Sequence, residues 1–294
     1  MKTQEINIRD PYLLLHGGIY YLYGTRSESS WGPADGFDCY FSSDRENWDG
    51  PVEIFHRPEG FFADREYWAP ECYFHQGRFC LLTTLGAPDR PKGVYLLVSD
   101  SPTGPFVPCG GRLTPEGEAA IDGTLCFEDG APWLVYSRSF ENGTEGEMFA
   151  IRLADDLSRP AGEPVRLFSA SEAPWARPVP FAKAEFGRDD PVYFTDGPCL
   201  IRGAAGELLM AWSSWGTQEY AVGVAVSDSG RIAGPWRQLE RPLYPANGGH
   251  GMLFRDGDGQ IYFVLHAPND KYMERPHFLR VEMRDGGIRL ADPE

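Results

Sequence analysis

The chain has no Cys-x-x-Cys pair, no Gly-x-Ser-x-Gly elbow, no His-Glu-x-x-His run and no phosphate-binding loop. Dithiol redox work, the α/β-hydrolase nucleophile, zinc-peptidase chemistry and P-loop phosphoryl transfer each need one of those spacings, so none of them is expected. Cations are scarce. Lys and Arg number 27 against 43 Asp and Glu, a net charge of −16, and such a field repels nucleic-acid phosphates and anionic lipid surfaces. Long apolar runs are missing too: the longest stretch free of Asp, Glu, Lys and Arg, Pro11–Thr25, holds three glycines and a histidine and is shorter than the roughly 20 apolar residues of a membrane-spanning helix. Neither nucleic acid nor a membrane is an expected partner. The opening residues MKTQEINIRD carry no apolar leader, which makes a cytoplasmic location the expectation. The six cysteines (Cys39, Cys72, Cys80, Cys109, Cys126, Cys199) are dispersed and read as reduced core residues. No long run keeps a helical period, so α/β folds are not expected.

What the chain does have is glycine, aromatics and a repeat. Five runs, GGIYYLYGT (17–25), QGRFCLLTT (76–84), DGAPWLVYS (129–137), AGELLMAWSS (205–214) and DGQIYFVLH (258–266), each set a Gly-containing turn before an apolar or aromatic strand. A short strand precedes each turn, as in PYLLLH (11–16) or GMLFR (251–255), and a further strand follows, as in GVYLLVSD (93–100) or YAVGVAVSD (220–228). A last short strand usually closes the unit, so each is a four-stranded antiparallel meander. Five such units predict an all-β, five-bladed β-propeller over residues 1–294, a single catalytic domain around a central channel. A β-sandwich would also show short strands but would not need the same four-strand order five times. The fourth period is the longest; its extra segment Ala170–Thr195, Pro-rich and containing Trp175, is expected as a loop over one mouth.

Innermost strands line the channel, so the residues that head them converge on one rim. These are Asp10, Glu71, Asp122, Asp196 and His250, spaced 61, 51, 74 and 54 residues apart. Carboxylates crowded into a partly closed cavity force their pKa values apart, which yields one acid and one base. Such a pair facing a sugar is the machinery of glycoside hydrolysis. The same acids could instead cap turns or hold a structural cation at the mouth, and His250 could ligate a channel ion or hydrogen-bond a carboxylate. With 18 Phe, 14 Tyr and 8 Trp, flat rings are available to pack on sugar faces. Trp68, adjacent to Glu71 through Ala-Pro, and Trp31 in a Gly/Pro loop are the candidates for the pocket wall.

In series, Arg9-Asp10-Pro11, Trp68-Ala69-Pro70-Glu71, Ile121-Asp122-Gly123, Thr195-Asp196-Gly197-Pro198 and Gly249-His250-Gly251 make the chain resemble glycoside hydrolase family 43, five-bladed propellers acting on arabinose-, xylose- or galactose-containing glycans. The resemblance implies Asp10 as the general base that activates water, Asp122 as the carboxylate that tunes and orients the acid, and Asp196 as the general acid. It implies that His250 helps hold a central hydrated cation, often calcium. Arg275 in the last blade matches loosely a sugar-hydroxyl-binding arginine. The family usually has Glu in a Glu-Gly-Pro motif where this chain has Asp196, and one missing methylene withdraws the carboxyl by roughly 1.5 Å. Glu172 and Glu185 in the fourth-blade insertion are the alternative acids.

The implied function is an inverting, exo-acting glycosidase, foremost an α-L-arabinofuranosidase or related pentosidase, on plant-type oligosaccharides or polysaccharides. A phosphorolytic or transferring propeller would need a cationic phosphate site beside the acid. A non-catalytic glycan-binding propeller would keep the pocket without the chemistry.

Overall fold

The computed structural model describes residues 1–203, 205–284 and 287–291, and in it each repeat is a four-stranded antiparallel sheet, five in all among those residues. Every sheet pairs its strands in chain order. The innermost strands are Ile8–His16, Arg65–His75, Ala120–Glu128, Asp196–Arg202 and Gly249–Arg255. Neighbours in that series touch, and the first also touches the fifth, which closes the ring. The expected five-bladed propeller is the observed fold.

Burial explains why the strands read as they do. A middle strand is covered on both faces by adjacent blades, so Tyr220–Ser227 is buried at every position and needs no polar alternation. Outer strands face solvent on one side: Asp49–His56 is exposed at six of its eight residues. The cores lie between blades rather than inside them. Tyr23, Phe37, Phe55, Tyr67 and Phe79 fill the seam of blades 1 and 2, and Leu82, Val94, Leu134 and Tyr136 the seam of blades 2 and 3.

The fourth-blade insertion is only partly a rim loop. Trp175 is 3% exposed and its ring occupies the place where a side chain on Gly223 would stand, 2.2 Å from the position of an added Cβ. It packs on Trp212 with ring centroids 4.8 Å apart. A buried indole covers roughly 150–250 Å², which roots the segment in the core. Downstream, Val179, Ala182 and Val192 form a small separate cluster with Phe140, Phe181, Phe194 and Trp215, and this part reaches the rim with the short helix Ala182–Phe186.

One local feature recurs at each innermost strand. The ladder shifts register beside Arg9/Tyr12, Trp68/Glu71, Asp196/Cys199 and Gly249/Met252, and opposite Ile121–Thr124 through Val135/Ser137. The residue ahead of each Pro or Gly takes a positive φ: Asp10 52°, Ala69 45°, Asp122 58°, Gly197 52° and His250 41°. Left-handed backbone at a non-Gly residue costs of order 1–3 kcal/mol, so each bulge needs a local partner. The second strand of the preceding blade supplies it in four of the five. Thr25 Oγ1 accepts the Ala69 N–H at 2.8 Å, Thr84 Oγ1 that of Asp122 at 2.9 Å, Ser213 Oγ that of His250 at 2.9 Å, and His266 Nδ1 that of Asp10 at 3.2 Å. Gly197 is the exception: its N–H goes to Oδ2 of Asp122 at 3.2 Å.

Candidate active site

These bulges aim three carboxylates and one imidazole into a cavity of about 880 Å³. Nδ1 of His250 stands 3.5 Å from Oδ1 of Asp10, 3.6 Å from Oδ2 of Asp122 and 4.0 Å from Oδ1 of Asp196. Each acid has further partners. Thr25 donates its hydroxyl to Oδ2 of Asp10 at 2.6 Å, and Tyr220 donates its phenol to Oδ1 of Asp196 at 2.6 Å. Through Gly197, Asp122 also holds the peptide that follows Asp196.

The three carboxyls differ in proton affinity. Burial alone would push Asp10 up, but His250, Arg9, His266 and the Thr25 hydroxyl together hold it below the ordinary aspartate value. Burial carries Asp122 up to about 7, eased by His250 and reinforced by the charges of Asp196 and Asp10. Burial also carries Asp196 up to about 7, with the Tyr220 hydrogen bond opposing and Asp10 adding to the rise. A carboxylate ionised at neutral pH therefore sits in one pocket with two whose proton affinity is raised to near neutrality, the division that acid–base catalysis requires. His266 is held neutral, pushed down to about 3 by burial and by Arg9. Its Nδ1 accepts the Asp10 N–H and its Nε2 lies 3.1 Å from Oδ1 of Asn269, which assigns the Nε2–H tautomer.

Aromatic walls flank the acids. On one side Trp31, 56% exposed, meets Trp68 edge to face with centroids 5.8 Å apart, and the Trp68 indole N–H donates to the Ser30 carbonyl at 2.7 Å. On the other side Phe140, Phe181, Phe186, Phe194 and Trp215 line the cavity. Trp31 and Trp68 are thus where the sequence places them.

Two other expectations are corrected. Glu71 does not line the cavity; it is buried, receives the Tyr73 hydroxyl, and is pushed up to about 8 by burial. The reason is register. The strands align on the positive-φ residue, so the blade-2 counterpart of Asp10 is Ala69, and Glu71 lies two residues further down the strand. Arg275 also lies outside the cavity lining; its guanidinium donates to the carbonyls of Gln4 at 3.1 Å and Glu274 at 2.7 Å. Of the alternative acids, Glu172 is bound to Arg166 and does not line the cavity, whereas Glu185 is exposed at the cavity rim. Sequence reasoning gave no role to Arg9, which occupies the same bulge position as Trp68 and Asp196, one residue before the positive φ, and like them lines the cavity. Aligning the heads on Asp-Pro, Ala-Pro, Asp-Gly, Gly-Pro and His-Gly would have found it.

Donor atoms of Asp122, Asp196 and His250 all lie within 4.8 Å of one another, close enough for one cation to bridge. Two of these three are the proton-bearing carboxyls, and calcium takes six to eight oxygen ligands, so the cluster is a poor calcium cage. The donor that fits a hydrated ion is Nε2 of His250, which makes no hydrogen bond to the described residues while Nδ1 faces the acids.

Comparison with known proteins agrees with this architecture. A family model described as glycosyl hydrolases family 43 matches residues 4–288. An endo-arabinase structure from Bacteroides thetaiotaomicron is 34% identical, covers 97% of this chain and 98% of its own, and superposes with a TM-score of 0.88. The extracellular exo-α-(1→5)-L-arabinofuranosidase ArbA of Cellvibrio japonicus is 25% identical over 99% of this chain and 88% of its own length. A thermostable family-43 glycoside hydrolase, 23% identical with a TM-score of 0.82 over 100% of this chain and 96% of its own, shares the fold. The chain belongs to glycosyl hydrolases family 43 and is a glycoside hydrolase.

Proposed function

We propose that this enzyme is an inverting, exo-acting α-L-arabinofuranosidase that releases terminal arabinose from plant-type oligosaccharides. The observation that supports it most is the trio of carboxyls around His250, with the proton affinity of Asp10 lowered and that of Asp196 raised to near neutrality. Similarity to ArbA over nearly the whole chain supports the sugar and the exo mode.

In this reading the terminal sugar sits above His250, between the two aromatic walls. Asp10 takes a proton from a water molecule on one face of the anomeric carbon. Asp196 gives its proton to the departing glycosidic oxygen on the opposite side. Burial and the charge of Asp10 raise the proton affinity of Asp196, and Asp122 fixes its backbone through Gly197. A hydrated calcium ion, coordinated mostly by water oxygens with Nε2 of His250 as one protein donor, would supply positive charge near the acids.

The test is Asp10→Asn with arabino-oligosaccharides. The amide keeps shape but cannot accept water's proton, so hydrolysis should fall at least 10²-fold while sugar binding, read by calorimetry, survives. Retention of more than a few per cent of the rate removes Asp10 from the base role. Proton NMR of the first-formed anomer separates inversion from retention. The endo-arabinase relative favours a second reading, internal cleavage of arabinan. Product analysis separates the two: arabinose alone means exo action, and a ladder of oligosaccharides from the start means endo action.

A further inference from the structure

A buried carboxylate that the mechanism does not use stands behind the base. Glu274, in the last blade, is 0% exposed. Its Oε1 accepts Arg9 Nη1 at 2.8 Å and its Oε2 accepts the Ser27 hydroxyl at 2.7 Å. Its carbonyl is held in turn by Asn7 Nδ2 at 2.8 Å and Arg275 Nη1 at 2.7 Å. Side chain and backbone are thus fixed from blade 1 and from the last blade together, across the seam that closes the ring.

Arg9 is the group this arrangement fixes. Its side chain is 13% exposed, lines the cavity, and places Nε 4.0 Å from Oδ1 of Asp10. Its guanidinium lies 5.2 Å from the Trp31 ring centroid. Of the five N–H donors a guanidinium carries, the side-chain hydrogen bonds among the described residues take one, the bond to Glu274. Arg9 lines the cavity next to the base, and no described side chain or backbone group takes its remaining donors. An arginine without that anchor keeps its rotamer freedom and could fold onto Asp10 as a direct ion pair that blocks the water site. Glu274 holds it short of that contact.

We propose that Glu274 is a positioning residue that acts through Arg9, keeping the guanidinium beside the base without capturing it, so that its free donors bind the sugar. This rests on the reading of Asp10 as the base, because the proximity of Arg9 matters only if the reaction occurs there.

A double-mutant cycle on kcat/KM with an aryl arabinofuranoside tests it, using Arg9→Met, Glu274→Gln and the double variant. Glutamine keeps the shape of Glu274 and removes its charge. Arg9→Met should lose at least tenfold, most of it in KM. Glu274→Gln should lose between threefold and tenfold, again in KM, and the double variant should be no worse than Arg9→Met alone. Losses that multiply, or Glu274→Gln at wild-type kcat/KM, would overturn the proposal. Ser27→Ala is the control for folding, since it removes the other partner of Glu274 and spares the Arg9 pair. It should cost less than twofold, and a loss equal to that of Glu274→Gln would assign Glu274 to holding the loop and refute the proposal. Failure of the base reading shows separately, as an active Asp10→Asn enzyme, and leaves the cycle readable.

Discussion

The phenol of Tyr220 donates a 2.6 Å hydrogen bond to Oδ1 of Asp196, and with the Ser213 hydroxyl it favours the ionised form of that carboxyl against burial. Tyr220 is itself fixed, stacked between Phe194 at 5.9 Å and the neutral His266 at 5.7 Å. Where the family usually carries a longer glutamate, this chain thus has a shorter acid with one oxygen pinned. A hydrogen bond to the charged form lowers a pKa, so Tyr220→Phe should raise that of Asp196. The alkaline limb of the kcat/KM profile should move to higher pH, and kcat should fall several-fold as the acid loses its orientation. A limb that stays put or moves down would contradict this.

The wild-type profile follows from the same pocket. Asp10 must be ionised, so activity is lost only as pH falls through a value below the ordinary 3.8 of aspartate. The proton on the acid must be present, so activity is lost as pH rises through about 7, a limb that belongs to Asp122 and Asp196 together. Initial rates on an arabino-oligosaccharide from pH 3 to 9 should give a plateau on the acid side of neutrality. An optimum above pH 8 would rule out this assignment.

Calcium removal is a separate matter. If a hydrated ion sits at Nε2 of His250, chelation should slow the enzyme roughly tenfold, as loss of outer support does at metal sites, with little change in Tm. The five sheets are closed by packing and hydrogen bonds between blades, not by the ion. Readdition of calcium should restore the rate, and metal analysis of the enzyme as purified should find about one ion per chain. Unchanged activity with no bound metal would mean that no ion takes part in the reaction.

The repeat made the propeller legible because each blade restates one pattern of turn, aromatic strand and short partner, visible without knowing any contact. The catalytic candidates were legible for a related reason: three of them precede Pro or Gly, or follow one another's motifs, at blade starts. What the sequence hid depends on the neighbouring blade. The positive φ of Asp10, Asp122 and His250 is held by His266, Thr84 and Ser213, residues more than 35 positions away in sequence, so the bulge register could not be read locally. With that register unseen, Glu71 was placed at the rim instead of two residues below it. Trp175 was misread for a different reason, because its slot is the absent side chain of Gly223, a vacancy that no periodicity records. Arg9 and Arg275 changed places because Glu274, buried in the seam, turns one into the cavity and ties the other to main-chain carbonyls.

The central claim is that Asp196 gives the proton to the leaving group despite its short side chain. The measurement that tests it most directly is kcat/KM of Asp196→Ala on two substrates, an arabino-oligosaccharide and an aryl arabinofuranoside with an activated phenolate. A poor leaving group needs the proton in the transition state and a good one needs little. The substitution should therefore cost about 10³-fold or more on the oligosaccharide and less than about tenfold on the activated substrate. Equal losses on both would make Asp196 a binding or structural residue, and no loss on either would move the acid to Glu185 at the rim.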